Sequence, residues 1–259
     1  MNERIKNTIL AQSTAIRTGV LPEVRQLISS IKPDFDSVKP YHTNIKEWLK
    51  PVVDLSEYSV YPTNGITEGL NWWYNREKRA VWLKPGDYQW ITTRMNGGPA
   101  IVYQSLPSSI DGNNVALHCK DPLALDLAYV GSTSPIHIKL HSKVDFVFYS
   151  LSKSFGIRNV RTGWIFTKTP DPALDALTHS AKYYNYFAVD VAERIIEQYD
   201  IGYVHNRLKY EQQRICDLLD LTPSDSVWLA TSEHNDYAKF RRTNNTARIC
   251  LSGVYNYES

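Results

Sequence analysis

Cysteine is scarce in this 259-residue chain, and the few present do not pair. Cys119, Cys216 and Cys250 are odd in number, widely spaced and free of any Cys-x-x-Cys. That argues against a disulfide framework and a cysteine zinc site, and it suits a reducing compartment. An excess of charge of one sign is lacking too. With 29 basic and 27 acidic residues the formal charge is +2, so there is no electrostatic case for nucleic acid or a membrane surface as partner. No apolar run reaches 18 residues, and no membrane helix is expected. The first residues, Met-Asn-Glu-Arg-Ile-Lys, carry charge without an apolar stretch behind them. No signal peptide is read there, and the cytoplasm is the expected compartment. Repeats and low-complexity tracts are absent. His137 and His141 flank Lys139 with no third ligand nearby, so no metal is expected.

What remains is an ordinary globular composition, 42% hydrophobic and 22% charged, long enough to bury a full core. Helices are expected over residues 1–18 and from Pro22, which suits a first helical turn. A short one is expected from Ile45 to Val53, and another from Thr67 to Tyr74. Apolar runs at Tyr58–Tyr61, Ala80–Leu83, Ala100–Leu106, Val115–His118, Ala124–Ala128, Val144–Tyr149 and Trp164–Thr167 read as strands. From Pro172 the pattern turns helical: Leu174–Tyr184, Val189–Tyr199 and Tyr203–Leu221. Val227–Ala230 and Arg248–Ser252 are expected as strands of a small terminal unit. Strands alternating with helices predict an α/β sheet, mostly parallel.

The stretch from Val147 to Trp164 holds the chemistry. A strand runs into Ser150-Leu151-Ser152-Lys153-Ser154-Phe155-Gly156, and Arg161-Thr162-Gly163 follows. A lone lysine is usually a solvated charge. An amine at a strand end, among hydroxyls and near a guanidinium, instead suits a Schiff-base lysine beside a phosphate. The segment resembles the lysine motif of the fold-type I pyridoxal-phosphate enzymes, specifically the class I/II aminotransferases, which read Ser-x-Ser-Lys-x-Phe-Gly and then Arg-x-Gly at the same offset. By that resemblance Lys153 holds pyridoxal 5'-phosphate as a Schiff base, and Ser150 and Arg161 bind its phosphate.

Further matches lie upstream. Asp126-Leu127-Ala128-Tyr129 resembles the family's Asp-x-Ala-Tyr. The resemblance implies that Asp126 sits against the pyridine nitrogen and Tyr129 donates to the ring oxygen. A buried carboxylate there keeps the ring protonated and makes it an electron sink. Taken alone, Asp126 reads as a helix cap or turn residue. Thr63-Asn64-Gly65-Ile66-Thr67-Glu68 resembles the family's Thr-x-Gly-x-Ser/Thr-Glu turn. By resemblance the Ile66 and Thr67 amides and the Thr67 hydroxyl hold phosphate at a helix start beside Gly65, although Thr67 also suits a plain first turn. The ring-stacking aromatic is expected at Tyr88, with Trp90 as the alternative. Arg248 resembles the arginine that forks onto a substrate carboxylate, or is a plain arginine on a terminal strand.

The chain also departs from the family. It is shorter than typical members. The family's Asn-Pro-x-x-Pro-x-Gly and the helix after it are not evident before Asp126. Asp121-Pro122 is the candidate for the Asn-Pro position, which would put a carboxylate near the ring oxygen and disfavour ionisation there. The resemblance implies a fold-type I α/β fold, a mostly parallel sheet with a small α+β terminal domain. The divisions are an N-terminal helical segment 1–48, a cofactor-binding domain 49–170 and a reduced small domain 171–259. The implied activity is amino transfer between an amino acid and a 2-oxo acid. Decarboxylation, elimination, racemisation, or cofactor binding without catalysis are the alternatives. Family sites are completed by a partner chain, which implies a homodimer with Trp72, Trp73, Tyr183 and Tyr184 as candidate anchors.

Overall fold

The computed structural model describes residues 2–32, 44–88, 90–91, 93–94, 99–242 and 245–255. In chain order the elements are α1 (Asn2–Ala11), α2 (Pro22–Ser30), α3 (Asn44–Leu49), β1 (Ser59–Asn64), α4 (Ile66–Arg76), β2 (Ala80–Leu83), β3 (Ala100–Ser105) and β4 (Leu123–Asp126). There follow β5 (Val144–Tyr149), α5 (Leu151–Ser154), β6 (Thr162–Thr167), α6 (Pro172–Asp175), α7 (Tyr186–Gln198), α8 (Tyr203–Leu219), β7 (Thr222–Pro223), β8 (Leu229–Ser232) and β9 (Ala247–Cys250).

Six strands form one sheet in the order β1-β6-β5-β4-β3-β2, and β7-β8-β9 form a second. From β2 to β5 every pairing is parallel, whereas β6 is antiparallel to both β5 and β1. β1 therefore runs in the same direction as β5. The carboxyl ends of β1, β3, β4 and β5 meet at one edge, where the amino end of β6 also begins. Strands buried on both faces lose polar alternation, and β4 (Leu-Ala-Leu-Asp) is buried at all four positions.

Local chemistry sets the helix starts. Pro22 opens α2. The Asp171 carboxylate accepts from Ala173 N and Leu174 N at 2.9 and 3.2 Å and starts α6, while Asn185 Oδ1 accepts from Ala188 N at 3.0 Å and caps α7. On one sheet face α4 lays Leu70 and Trp73 against Tyr103, Phe148 and Ile165. On the other, a larger cluster joins Ile9, Leu21 and Val24 to sheet residues and to Ile195, Leu208, Trp228 and Ile249. The amino-terminal segment thus shares a core with the last strands.

Four expectations are corrected. The first helix stops at Ala11, and residues 12–21 run on as an irregular strap. No strand forms over Val115–His118: the Gln104 side chain takes up that backbone instead, donating to Ala116 O at 2.8 Å and accepting from His118 N at 2.9 Å. The helix expected over Leu174–Tyr184 is α6 followed by a π-turn over Ala176–Ser180. Trp73, offered as a surface anchor, is buried against Tyr103, Phe146 and Phe148. Tyr183 does lie exposed.

Candidate active site

Ligands of open α/β sheets bind beyond the carboxyl ends of the strands, and a cavity of about 440 Å³ lies there. Ile66, Thr67, Tyr88, Asp126, Tyr129, Ser150, Lys153, Arg161 and Arg248 all line it. Nine of the residues singled out by the sequence are thereby brought together, and Gly65 adjoins them as the residue before α4.

Lys153 rides on α5, directly after β5. The Ser150 hydroxyl caps that short helix by accepting from Ser152 N at 3.1 Å and donates its own proton to Thr162 O at 2.6 Å. The Ser150 donor is therefore committed to protein. Ser152 Oγ, buried in the same wall, has no partner. Lys153 Nζ donates to Ile16 O in the strap at 2.9 Å. Burial pulls its amine from 10.5 down to about 8, helped by the positive charge of Arg248.

At the start of α4, Gly65 has φ +78° and no side chain caps the helix. Glu68 N turns back to donate to Gly65 O at 3.1 Å, which leaves the Ile66 and Thr67 amides as the ones a helix start offers to an outside acceptor. A Cβ at Gly65 would stand 2.8 Å from the Arg161 guanidinium, and one at Gly163 would stand 2.6 Å from the Gly65 backbone. Bare backbone at both positions lets Arg161 close against the helix start. Arg161 itself takes φ +64°.

Asp126 ends β4. Tyr103 donates to its Oδ2 at 2.5 Å and Ala128 N to its Oδ1 at 2.7 Å. Burial outweighs these bonds and pushes the carboxyl up to about 7. Tyr129 is buried, which raises its phenol, opposed by the charge on Arg248. Tyr88 lines the cavity beside Thr67, whose side chain hydrogen-bonds it. The alternative, Trp90, is 58% exposed and donates to Asn71 Oδ1 at 2.7 Å, so it faces away. Behind the wall, buried Asp87 accepts from Ser109 Oγ at 2.6 Å, Tyr88 N at 2.7 Å and the Ser105 hydroxyl.

Asp121 does not reach the cavity. It precedes β4, at the opposite end of that strand from Asp126, and its carboxylate pairs with His118 Nε2 at 2.9 Å in an exposed loop. The segment at the right place follows β3: Leu106-Pro107-Ser108-Ser109-Ile110-Asp111-Gly112 keeps proline second and glycine seventh, with Leu106 in place of asparagine. Its first peptide, Leu106–Pro107, is cis. Of this segment, Ser109 reaches the cavity wall.

Three further contributions were not read from the sequence. The strap supplies Thr14, Ile16 and Thr18 to the cavity wall. It is pinned by Thr18 Oγ1 donating to Ser152 O at 3.1 Å and Ser252 Oγ donating to Arg17 O at 2.5 Å. Gly156 makes room for it: a Cβ there would stand 1.8 Å from Gly19 O. Tyr103 is the donor to Asp126. Arg242, in the loop before β9, joins Arg248 at the cavity.

No family model matches the chain, and no curated protein matches it in sequence. Solved structures do. A PLP-bound C-S lyase from Staphylococcus hominis superposes with a TM-score of 0.65 at 13% identity, over 93% of this chain and 86% of that one. Histidinol-phosphate aminotransferase from Sinorhizobium meliloti, in complex with pyridoxal-5'-phosphate, gives 0.63 at 14% identity, over 96% and 89%. Tyrosine aminotransferase from Leishmania infantum gives 0.65 at 11% identity, over 90% and 86%. The chain has the fold of the fold-type I pyridoxal-phosphate enzymes.

Proposed function

We propose that this chain is a pyridoxal-phosphate-dependent amino-acid enzyme, and within that class an aminotransferase. One observation carries the reading: a single cavity joins a desolvated Lys153 to buried Asp126 and to an anion cradle at the start of α4.

The residues present fit the cofactor. The unpaired Ser152 Oγ is a donor awaiting an acceptor. Glycine at 65 and 163 lets the Arg161 guanidinium close against the start of α4, where a Cβ would clash. With the Ile66 and Thr67 amides and the Thr67 hydroxyl, these groups would hold the phosphate. Asp126 would hold the ring nitrogen, Tyr88 and Tyr129 the ring.

When bound, the cofactor supplies an aldehyde that condenses with amines and a ring that withdraws electrons from the substrate's α-carbon. Condensation needs a neutral amine, and an Nζ near 8 supplies one far more often than an ordinary lysine does at neutral pH. With its amine free, Lys153 Nζ would be the base that takes the substrate α-proton and gives a proton back. Asp126, with both oxygens fixed by Tyr103 and Ala128, would hold a protonated ring nitrogen. The strap and Tyr129 wall off part of the cavity. Arg248 offers a guanidinium to the substrate carboxylate. One base that can both remove and return a proton is what amino transfer requires.

Loading with pyridoxal phosphate should give a visible absorption band, and borohydride should fix the label on Lys153 by peptide mapping. Labelling elsewhere would overturn the assignment. Given an amino acid and a 2-oxo acid, a new amino acid should form; release of ammonia with a 2-oxo acid would instead place the enzyme among the lyases. The proposal extends to a homodimer, supported by exposed Tyr183. A loaded, active monomer in sedimentation at high dilution would count against that part.

A further inference from the structure

The cavity is lopsided in charge. Arg158, Arg161, Arg242 and Arg248 line it, and Asp126 is the one carboxylate among its lining residues. Asp87 stands behind the wall with its oxygens engaged by Ser105, Ser109 and Tyr88 N. Arg158 and Arg161 are exposed, so solvent screens them, while Arg248 is buried and Arg242 half-buried.

Arg248 and Arg242 are also incompletely satisfied. One prong of Arg248 donates to Ser109 O, yet its buried Nε has no partner among the described residues, and neither has the buried Nε of Arg242. A buried donor left unmet is costly to the folded protein. The two guanidiniums also repel: Arg242 is held below its ordinary proton affinity by burial first and by Arg248 second. A protein keeps two such cations in one wall at a cost, which an incoming pair of anions would remove.

On the cofactor reading above, the phosphate belongs to Arg161 and the start of α4, and one carboxylate belongs to Arg248. Arg242 is then left over. We infer that the substrate is an amino acid carrying a second anionic group on its side chain, and that Arg242 is the residue that selects it. The fork of a guanidinium suits a carboxylate or a phosphate equally, so the shared chemistry is a dianion spanning Arg248 and Arg242.

The test is direct binding, which needs no turnover. Protein loaded with pyridoxal phosphate and reduced with borohydride is titrated calorimetrically with glutarate, with 3-phosphonopropionate and with butyrate as the monoanion. The dianions are expected to bind at least tenfold more tightly than butyrate. Arg242→Gln should bring them to the butyrate level while changing butyrate itself less than twofold. Arg242→Lys, which keeps charge without the fork, should fall between. Which dianion binds more tightly separates a side-chain carboxylate from a phosphate. Equal binding of mono- and dianions by the unaltered protein would overturn the inference without recourse to any variant. Equal weakening of all three ligands by Arg242→Gln would overturn it too, by making Arg242 the primary carboxylate site. Failure of the cofactor reading shows separately, as absence of the visible band on loading. The same titrations on cofactor-free protein then still report whether the Arg242–Arg248 wall prefers dianions.

Discussion

Replacing Lys153 by methionine should stabilise the cofactor-free chain, because the native lysine sits where its charge is unwelcome. Methionine nearly matches lysine in length and helix propensity, so α5 and the cavity wall keep their shape. The fall in proton affinity from 10.5 to about 8 corresponds to roughly 3 kcal/mol of destabilisation at pH 7, at about 1.4 kcal/mol per tenfold change. Against this, methionine leaves Ile16 O without its donor, a loss of about 1 kcal/mol. The net gain at pH 7 is about 2 kcal/mol, or some 4–8 °C in Tm for a chain of this size. The sign of the pH dependence follows from linkage. Below pH 8 the lysine is charged in both states and the folded protein bears the full penalty. Between pH 8 and 10.5 the folded lysine is neutral while the unfolded one still binds a proton, so the native protein gains stability as pH rises. The advantage of Lys153→Met should therefore shrink by about 2 kcal/mol between pH 7 and pH 9.5. Urea unfolding of both proteins at these two pH values measures it. A gain that is absent, or that stays constant over this range, would refute the claim that Lys153 is desolvated.

Two other substitutions probe the same wall. Asp126→Asn keeps the Ala128 contact through Oδ1 and reverses the Tyr103 one, its Nδ2 donating to the phenol oxygen, while removing a carboxyl whose folded value is raised from 3.8 to about 7; because such a group favours folding only below its unfolded value, the variant's stability advantage should grow from pH 4 to pH 7 towards an upper limit of roughly 4 kcal/mol. The loaded variant should retain cofactor yet exchange the substrate α-proton on the order of 100-fold more slowly, and unimpaired exchange would count against Asp126 as the ring-nitrogen partner. Gly156→Ala meets the Gly19 carbonyl at 1.8 Å and a φ of +72°, so the strap must lift: limited proteolysis within residues 12–21 should speed up at least tenfold, and an unchanged cleavage rate would show that the strap is not held there.

Much of the sheet was legible because its strands are largely buried and apolar. Val144–Tyr149 was read to the residue, Asp126 closes β4 as the resemblance implied, and Lys153 stands just past β5, on α5 rather than in a loop. The motif also located Arg161 and Thr67, since the backbone spaces those groups locally. What escaped depends on contacts far apart in the chain. Nothing in Thr14–Thr18 marks it as a cavity wall, because its position comes from Ser152, Gly156 and Ser252. Arg242 resembles any loop arginine until the chain brings it beside Arg248. Asp121 misled because Asp-Pro imitates Asn-Pro, whereas the Leu106-Pro107 segment at the carboxyl end of β3 lies fifteen residues earlier in sequence. The expected Val115–His118 strand failed for a local reason: the Gln104 amide offered that backbone a substitute for a ladder.

The pinning of the strap bears on the order of synthesis. Ile16 and Arg17 find their partners at Lys153 and Ser252, so sixteen or so early residues wait for almost the whole chain to leave the ribosome. At about 5–20 residues per second that delay is on the order of 10–50 seconds. Through it, apolar Ile9, Leu21 and Val24, all buried in the finished protein, have no final neighbours from α7, α8 or β9. Closing so long a loop makes completion of the cavity a late event in folding, and the nascent amino terminus is the part of this protein most in need of a chaperone's cover.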